Sequence, residues 1–214
     1  MSEIFILGCY SGSPVRLLTH FVNKHNGMFC AEIEATGIYG NTETVWYYGR
    51  DTFEEFTASI NYDNSKSLAV SLRPEPDLWA DIFAEEFRPI GVGSNVSKIL
   101  IFTIPNSPES DAMFDRIWKI SEVSPVLHYE SEELMKLANS AFNMEIPERF
   151  EIFQSVHPFE YGFVDMIKIL NKDESEYHKM LDFLGLQPLD NWQEGIDFII
   201  DQYFNTSLTT FMNK

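Results

Sequence analysis

Three short runs of mainly apolar residues constrain the fold of this chain more than any other feature. Each run is followed closely by a glycine or a proline-containing turn, and the runs are Ile4–Leu7, Ser67–Leu72 and Lys98–Ile104. An apolar run without alternation predicts a strand that is buried on both faces, which is typical of a parallel sheet. Because helical patterns separate the runs, the sequence predicts that they are neighbouring parallel strands of one central sheet.

The segments between and after these runs have the apolar spacing of helices. The first begins at Ser13-Pro14, and the last begins at a capping box predicted from Asp190 and Gln193. The predicted helices cover about residues 14–26, 51–56, 77–87, 110–120, 131–143, 175–184 and 191–204. Weaker patterns predict further strands at Phe29–Ile33, Thr44–Tyr48, Val126–Tyr129 and Phe150–Val156. The alternation predicts a single α/β domain over residues 1–214, with three α/β/α layers and a mostly parallel central sheet.

The chain is strongly acidic. It has 33 Asp and Glu against 15 Lys and Arg, which gives a formal net charge of −18, and it has no run of basic residues. Such a chain repels the phosphate backbone, so we expect no direct binding to nucleic acid. The hydrophobic fraction of 44% is that of a globular protein rather than a disordered acidic tail.

Cysteine usage and the N-terminal residues predict a cytoplasmic protein. Only Cys9 and Cys30 are present, which indicates neither a disulfide framework nor a thiolate zinc site. The N-terminal residues lack the basic and apolar segments of a signal peptide, and no stretch reaches the roughly 18 apolar residues of a membrane span. We therefore expect no association with a membrane.

The residues between the first strand and the first helix form the most informative motif. Small residues at Ser11, Gly12 and Ser13 would direct backbone amides and the N-terminus of a helix at an anion, at the carboxyl end of a strand where α/β proteins bind ligands. The alternative is an ordinary strand-to-helix turn in which Ser13 only caps the helix. The sequence leaves both interpretations open.

At this point the chain resembles the P-loop sulfotransferases, in which the first strand leads into a Lys/Arg-Ser-Gly-Thr/Ser loop and a leucine-rich helix. Ser11-Gly12-Ser13 and Leu17-Leu18 match that pattern, and three later blocks look similar: Lys98–Pro105, Phe150–Tyr161 and Met180–Leu186. The resemblance implies the sulfuryl donor PAPS, with adenosine 3',5'-bisphosphate as product. It also implies that the amides of residues 11–13 hold the 5'-phosphate while a hydroxyl of a small-molecule or protein acceptor is sulfated.

Three positions depart from the family pattern. Tyr10 stands where the family has the loop Lys or Arg, Pro14 removes one amide donor, and Thr103 stands where an Arg for the 3'-phosphate is expected. Arg16 is the candidate replacement cation, although an Arg at that place is more often a solvated surface charge. The departures favour a nucleotide-binding remnant of the fold over an active enzyme.

The histidines are the candidates for a general base, and none has metal-ligand spacing with another His or Cys. His157 follows a predicted strand, so it is the candidate catalytic base at the sheet edge, and a loop histidine without a role is the alternative. His25 is expected at the C-terminus of the first helix, where it would offset the helix dipole.

The last helix has carboxylates at positions 190, 194, 197 and 201, along one face. The ordinary interpretation is a solvated face. One functional alternative is an acidic, non-enzymatic interaction protein that binds a basic protein partner through the last two helices, and another is mimicry of a DNA phosphate rail. A phage genome is an unsurprising source for either kind of protein.

Overall fold

In the computed structural model, the structure describes residues 3–10, 12–30, 45–46, 58, 62–72, 96–124, 127, 129–154 and 160–208. Their strands form one parallel sheet in the order β2-β3-β1-β4-β5. The strands are β1 Ile4–Cys9, β2 Val45–Trp46, β3 Leu68–Leu72, β4 Val96–Thr103 and β5 Glu160–Asp165. The three apolar runs are therefore neighbours, as predicted, with Ile6 opposite Val70 on one side and Ile99 on the other.

The central strand β1 is buried on both faces, which explains why its sequence does not alternate. Every residue of β1 is buried, on the face that carries Phe5 and Leu7 as well as on the face that carries Ile4 and Ile6. Parallel pairing on both sides satisfies its backbone, so apolar side chains are stabilising at each position.

Six α-helices lie in the described ranges. They are α1 Val15–Asn23, α2 Asp111–Val123, α3 Glu132–Gln154, α4 Met166–Leu170, α5 Glu174–Leu184 and α6 Trp192–Phe204. Helices α1 and α5 pack on the face of the sheet that carries Phe5 and Leu7. The side chain of Asn23 fixes α1 to β3 through two hydrogen bonds with the backbone of Ala69, of 2.8 and 2.9 Å. Within the described ranges, no helix combines the length and apolar character needed to cross a membrane.

The strand predicted at Phe150–Val156 is wrong. Residues as far as Gln154 belong to α3, and the next strand is β5, at Glu160–Asp165. The apolar residues Ile146, Phe150 and Phe153 also fit the helical period, so a short run could not decide between helix and strand. Among the described residues β5 is paired on one side only, and its mixed polarity gave no apolar run to detect.

Several weaker predictions have a partial outcome. β2 confirms a strand within Thr44–Tyr48, whereas Phe29 and Cys30 are not in a strand, nor are Leu127 and Tyr129. The predicted helices at 51–56 and 77–87 lie outside the described residues, as do Ala31–Ile33, Val126 and His128.

Helix ends in the C-terminal region follow local capping rules. Asp165 accepts hydrogen bonds from the amides of Ile167 and Lys168 at the start of α4, and Asp173 accepts one from Glu176 at the start of α5. Gly185 ends α5 in the left-handed conformation, with φ of 72°. The capping box predicted for α6 is wrong, because its N-cap residue is Asn191 and no side chain caps the helix.

Candidate functional site

The loop that joins β1 to α1 lies at the place where an α/β sheet ordinarily binds ligands. The chain leaves β1 toward β2 and β3 on one side, whereas it leaves β4 toward β5 on the other. The carboxyl ends of β1 and β4 therefore define a switch point in the strand order, and ligands bind in the crevice outside such a point. The candidate loop lies at the carboxyl edge of the sheet, as the sequence predicted, and the ligand site there stays a prediction.

Gly12 is fixed in this loop by residues from distant parts of the chain. Its φ is +88°, and an added Cβ would lie 3.0 Å from side-chain carbons of Ile117 and of Leu127. Its carbonyl oxygen accepts a 2.7 Å hydrogen bond from the hydroxyl of Tyr203. Gly12 is needed for the close approach of α2 and α6, whatever the loop binds. Ser11 lies outside the described residues.

Ser13 does not cap α1, so the cap expected in the ordinary-turn interpretation is wrong, whereas the choice between an ordinary turn and an anion site stays open. The N-cap residue is Pro14, no side chain caps the helix, and α1 begins at Val15. Ser13 thus precedes the N-cap residue, too early to reach the amides of the first turn. Its hydroxyl is buried beside the Cys9 thiol, a weak hydrogen-bonding group, and makes no regular hydrogen bond. Burial raises the pKa of Cys9 to about 12, and the Ser13 hydroxyl offsets part of that increase.

The first turn of α1 is the remaining candidate for an anion-binding site in this loop. Pro14 has no amide and makes no side-chain cap, so the donors at this helix end are the amides that follow it. Arg16 lies in this turn and is half-buried. A cationic residue is therefore part of the turn that forms the positive end of the helix dipole.

Tyr10 fills the position where the family resemblance expects a cation. Its side chain is buried, stacks on Tyr129 with ring centroids 5.9 Å apart, and meets the ring of Phe142 edge-on. Its hydroxyl donates a 3.1 Å hydrogen bond to the carbonyl of Met135 in α3. Burial raises the pKa of Tyr10 to about 12, so the group is neutral at physiological pH. A neutral packed phenol cannot offset the charge of a transferring sulfuryl group.

Helix α3 also binds the backbone just beyond β4. The side-chain amides of Asn139 and Asn143 donate hydrogen bonds of 2.9 and 2.8 Å to the carbonyl of Ile104. Thr103, at the position expected for a phosphate-binding Arg, donates instead to the carbonyl of Val164 and joins β4 to β5. The Thr103 hydroxyl and the side-chain NH₂ groups of Asn139 and Asn143 are thus used within the protein. No local sequence signal indicated that Asn139 and Asn143 would bind the Ile104 carbonyl, or that Tyr203 would bind the Gly12 carbonyl.

His25 has a structural role. Its Nδ1 lies 3.2 and 3.0 Å from the carbonyls of Phe21 and Val22, so this nitrogen carries the proton and donates. Its Nε2 therefore accepts from the hydroxyl of Tyr177, 3.0 Å away, while the Tyr177 oxygen accepts from the amide of Leu189. Desolvation lowers the pKa of His25, so it serves the end of α1 as a neutral donor rather than as the cation expected.

The remaining predicted site residues lie apart from the loop or outside the described ranges. His157 is outside the described residues, so the role of general base stays a prediction. The part of the chain that the structure describes contains no group of three or more His, Cys, Asp or Glu arranged to hold a metal ion. Glu194, Asp197 and Asp201 are exposed on α6, as predicted, and Asp197 forms a 2.5 Å ion pair with Lys172. The apolar spacing of α6 predicts an inward face formed by Trp192, Ile196, Ile199, Ile200 and Tyr203. Four of them are buried, and Ile200 is half-buried against the core.

No protein-family model matches this chain, and no curated protein matches it. The similarity to sulfotransferases therefore depends on the loop and block residues given above.

Proposed function

We propose that this protein is a nucleotide-binding remnant of the P-loop sulfotransferase-like fold, and that it binds adenosine 3',5'-bisphosphate weakly without efficient sulfuryl transfer. The observation that carries the proposal is the uncapped first turn of α1 at the carboxyl end of the central strand β1. The backbone amides and the dipole at a helix N-terminus favour a bound phosphate. The parallel α/β sheet is compatible with the sulfotransferase-like fold.

In the proposed complex, the 5'-phosphate accepts hydrogen bonds from amides of the first turn of α1, and Arg16 supplies the positive charge. One missing charge-assisted hydrogen bond, at Tyr10, weakens binding by about ten- to a hundredfold relative to a complete loop. PAPS would occupy the same place. Sulfuryl transfer from it would need a base to take the proton of the acceptor hydroxyl, for which His157 is the candidate, and a cation to offset the developing charge.

Calorimetric titration with adenosine 3',5'-bisphosphate tests the binding proposal. We expect weak binding to the wild-type protein, a loss of about tenfold in Arg16→Gln, and no change in Lys24→Gln. Lys24 is the matched control because it is an exposed cation just after the other end of α1. Absence of both heat and a thermal shift at millimolar ligand would refute the proposal.

A transfer assay with PAPS and simple hydroxyl acceptors tests the claim about activity. We expect no product above background, because Tyr10 is neutral and packed under α3. Product formation by the wild-type protein that is lost in His157→Ala would show an active enzyme and overturn the remnant interpretation.

The alternative function is an acidic interaction protein that binds a basic partner. The acidic face of α6 is exposed, but one of its carboxylates is already paired with Lys172, which favours the solvated interpretation of that face. The triple variant Glu194→Gln, Asp197→Gln and Asp201→Gln is expected to bind basic partners as the wild type does.

A further inference from the structure

The solvent-facing side of α3 has a stripe of apolar side chains. Among the residues whose side chains the structure describes, four large apolar side chains are exposed, and three of them are on α3. They are Leu134, Leu137 and Met144, with 46%, 66% and 70% of their surface exposed. The small residues Ala138 and Ala141 lie between them, so the stripe is continuous in sequence spacing.

Helix geometry places this stripe opposite the side of α3 that packs against the rest of the protein. Residues 134, 137, 141 and 144 follow the three-and-four spacing of one helix face and extend over about 15 Å. Met135, Asn139 and Ile146 are buried on the other side. Because the helix already has a buried side, the exposed apolar stripe is not needed to attach α3 to the sheet.

The exposed charged side chains on this side of α3 are carboxylates, among the residues whose side chains the structure describes. Glu133, Glu148 and Glu151 are exposed there, beside or beyond the apolar stripe. Lys136 is a cation of the same helix, and its ammonium lies 3.0 Å from a carboxylate oxygen of Glu132 and 3.6 Å from one of Asp111. The face is therefore both apolar and acidic.

We propose that this surface, defined by Leu134, Leu137, Met144, Glu133, Glu148 and Glu151 and called the α3 face below, docks a basic amphipathic helix of another protein. Apolar residues of the partner cover the stripe, which supplies affinity. Lys and Arg on the edges of that helix pair with the three carboxylates, which sets orientation and accelerates association. A second copy fits poorly, because it brings the same carboxylates and a net charge of −18. The proposal does not depend on the nucleotide site.

The test uses a fluorescent helical peptide of about 18 residues, with leucines at three-and-four spacing and lysines on both edges, in about 0.15 M salt. Leu137→Gln with Met144→Gln should weaken binding about tenfold or more, because two apolar contacts are lost. Glu133→Gln, Glu148→Gln and Glu151→Gln together should also weaken it, and this loss should shrink as salt rises. The α6 triple variant described above removes the same number of charges and should leave binding within about threefold of wild type.

Each result decides the proposal. Equal loss in the α3 and α6 charge variants would show unspecific attraction to an acidic protein and would overturn it, as would unchanged binding in the Leu137 and Met144 variant. Self-association of the wild type in sedimentation experiments that is absent in that variant would assign the face to a second copy instead. Amide exchange of the wild-type protein needs no variant: added peptide must protect residues 134–148 more strongly than α6, and protection elsewhere alone would refute the proposal.

Discussion

The β1–α1 loop and the helices α4 to α6 are held by different kinds of contact. In the C-terminal helices, Asp165 binds amides two and three positions away, and Gly185 ends α5 by its own backbone conformation. In the loop, Gly12 is bound by Tyr203, 191 positions away, and Tyr10 is bound by Met135, 125 positions away. Local sequence therefore determines the helix ends, whereas the tertiary fold determines the loop.

This difference has a functional consequence. A loop whose backbone is already fixed by distant residues is preorganised, so a ligand pays little entropy to order it. The same contacts occupy groups of the loop that are then not available to a ligand. The carbonyl of Gly12 is bound by Tyr203, and the ring of Tyr10 is stacked on Tyr129. The substitutions below measure how strongly each region depends on distant contacts.

The largest effect is expected for Gly12→Ala. Its positive φ and the two carbon contacts at 3.0 Å should together lower the free energy of unfolding by about 3 kcal/mol. Gly27→Ala is the control, because its φ is +86° and an added Cβ meets nothing within 4 Å. That variant should lose only about 1 kcal/mol in urea unfolding. Equal losses in the two variants would contradict the packing of Gly12 against α2.

Tyr203→Phe should have the next largest effect. It removes the hydrogen bond to the Gly12 carbonyl and keeps the aromatic ring, so we expect a loss of about 1 to 2 kcal/mol. Tyr62→Phe removes an exposed hydrogen bond to the carbonyl of Lys66 and should cost less than about 0.5 kcal/mol. If both variants lose less than about 0.5 kcal/mol of the free energy of unfolding, the contact between α6 and the loop does not stabilise the fold.

Asp165→Ala tests the C-terminal region, where Asp165 caps the start of α4. Loss of the cap on α4 should cost about 1 kcal/mol, because two amides lose their acceptor. Asp190→Ala should change stability by less than about 0.5 kcal/mol, because no side chain caps α6. A reversed order in urea unfolding would show that the predicted capping box forms in solution.

The smallest expected effect is on the pH dependence of folding stability. The pKa of His25 is lowered in the folded protein, so the unfolded chain binds the proton more readily. The stabilising contribution of neutral His25 is complete above the pKa of the histidine in the unfolded chain, about 6.5. It decreases as the pH falls from there toward the pKa of His25 in the folded protein. Between pH 7.5 and 5.5, His25→Gln should therefore lose less stability on acidification than the wild type. The pKa of His20 is also lowered, so we expect the stability of His25→Gln to retain some pH dependence. Identical curves of stability against pH for the wild type and His25→Gln would refute the neutral role of His25.

The parts of the fold that were predictable share a physical cause. Burial on both faces made the strands β1, β3 and β4 visible as apolar runs, and the three-and-four spacing of α6 gave its inward face correctly. β5 has neither signal and was missed, and the ambiguous end of α3, from Phe150 onward, was assigned to a strand. At the candidate site, sequence indicated the position of the loop but not its contacts, because Ile117, Met135 and Tyr203 approach it only in the folded protein.

The position of β1 in the sheet also determines when it can fold. Ile4 pairs with Leu68 and Phe5 pairs with Lys98, so both partners are synthesised long after β1. A nascent chain gains the first pairing only after β3 has left the ribosome and the second only after β4 has, at synthesis rates of about 5 to 20 residues per second. Until β4 emerges, at least one edge of the most buried described strand is unpaired and open to chaperones and to other nascent chains. The rate-limiting step of folding is therefore expected to be the insertion of β1 between β3 and β4.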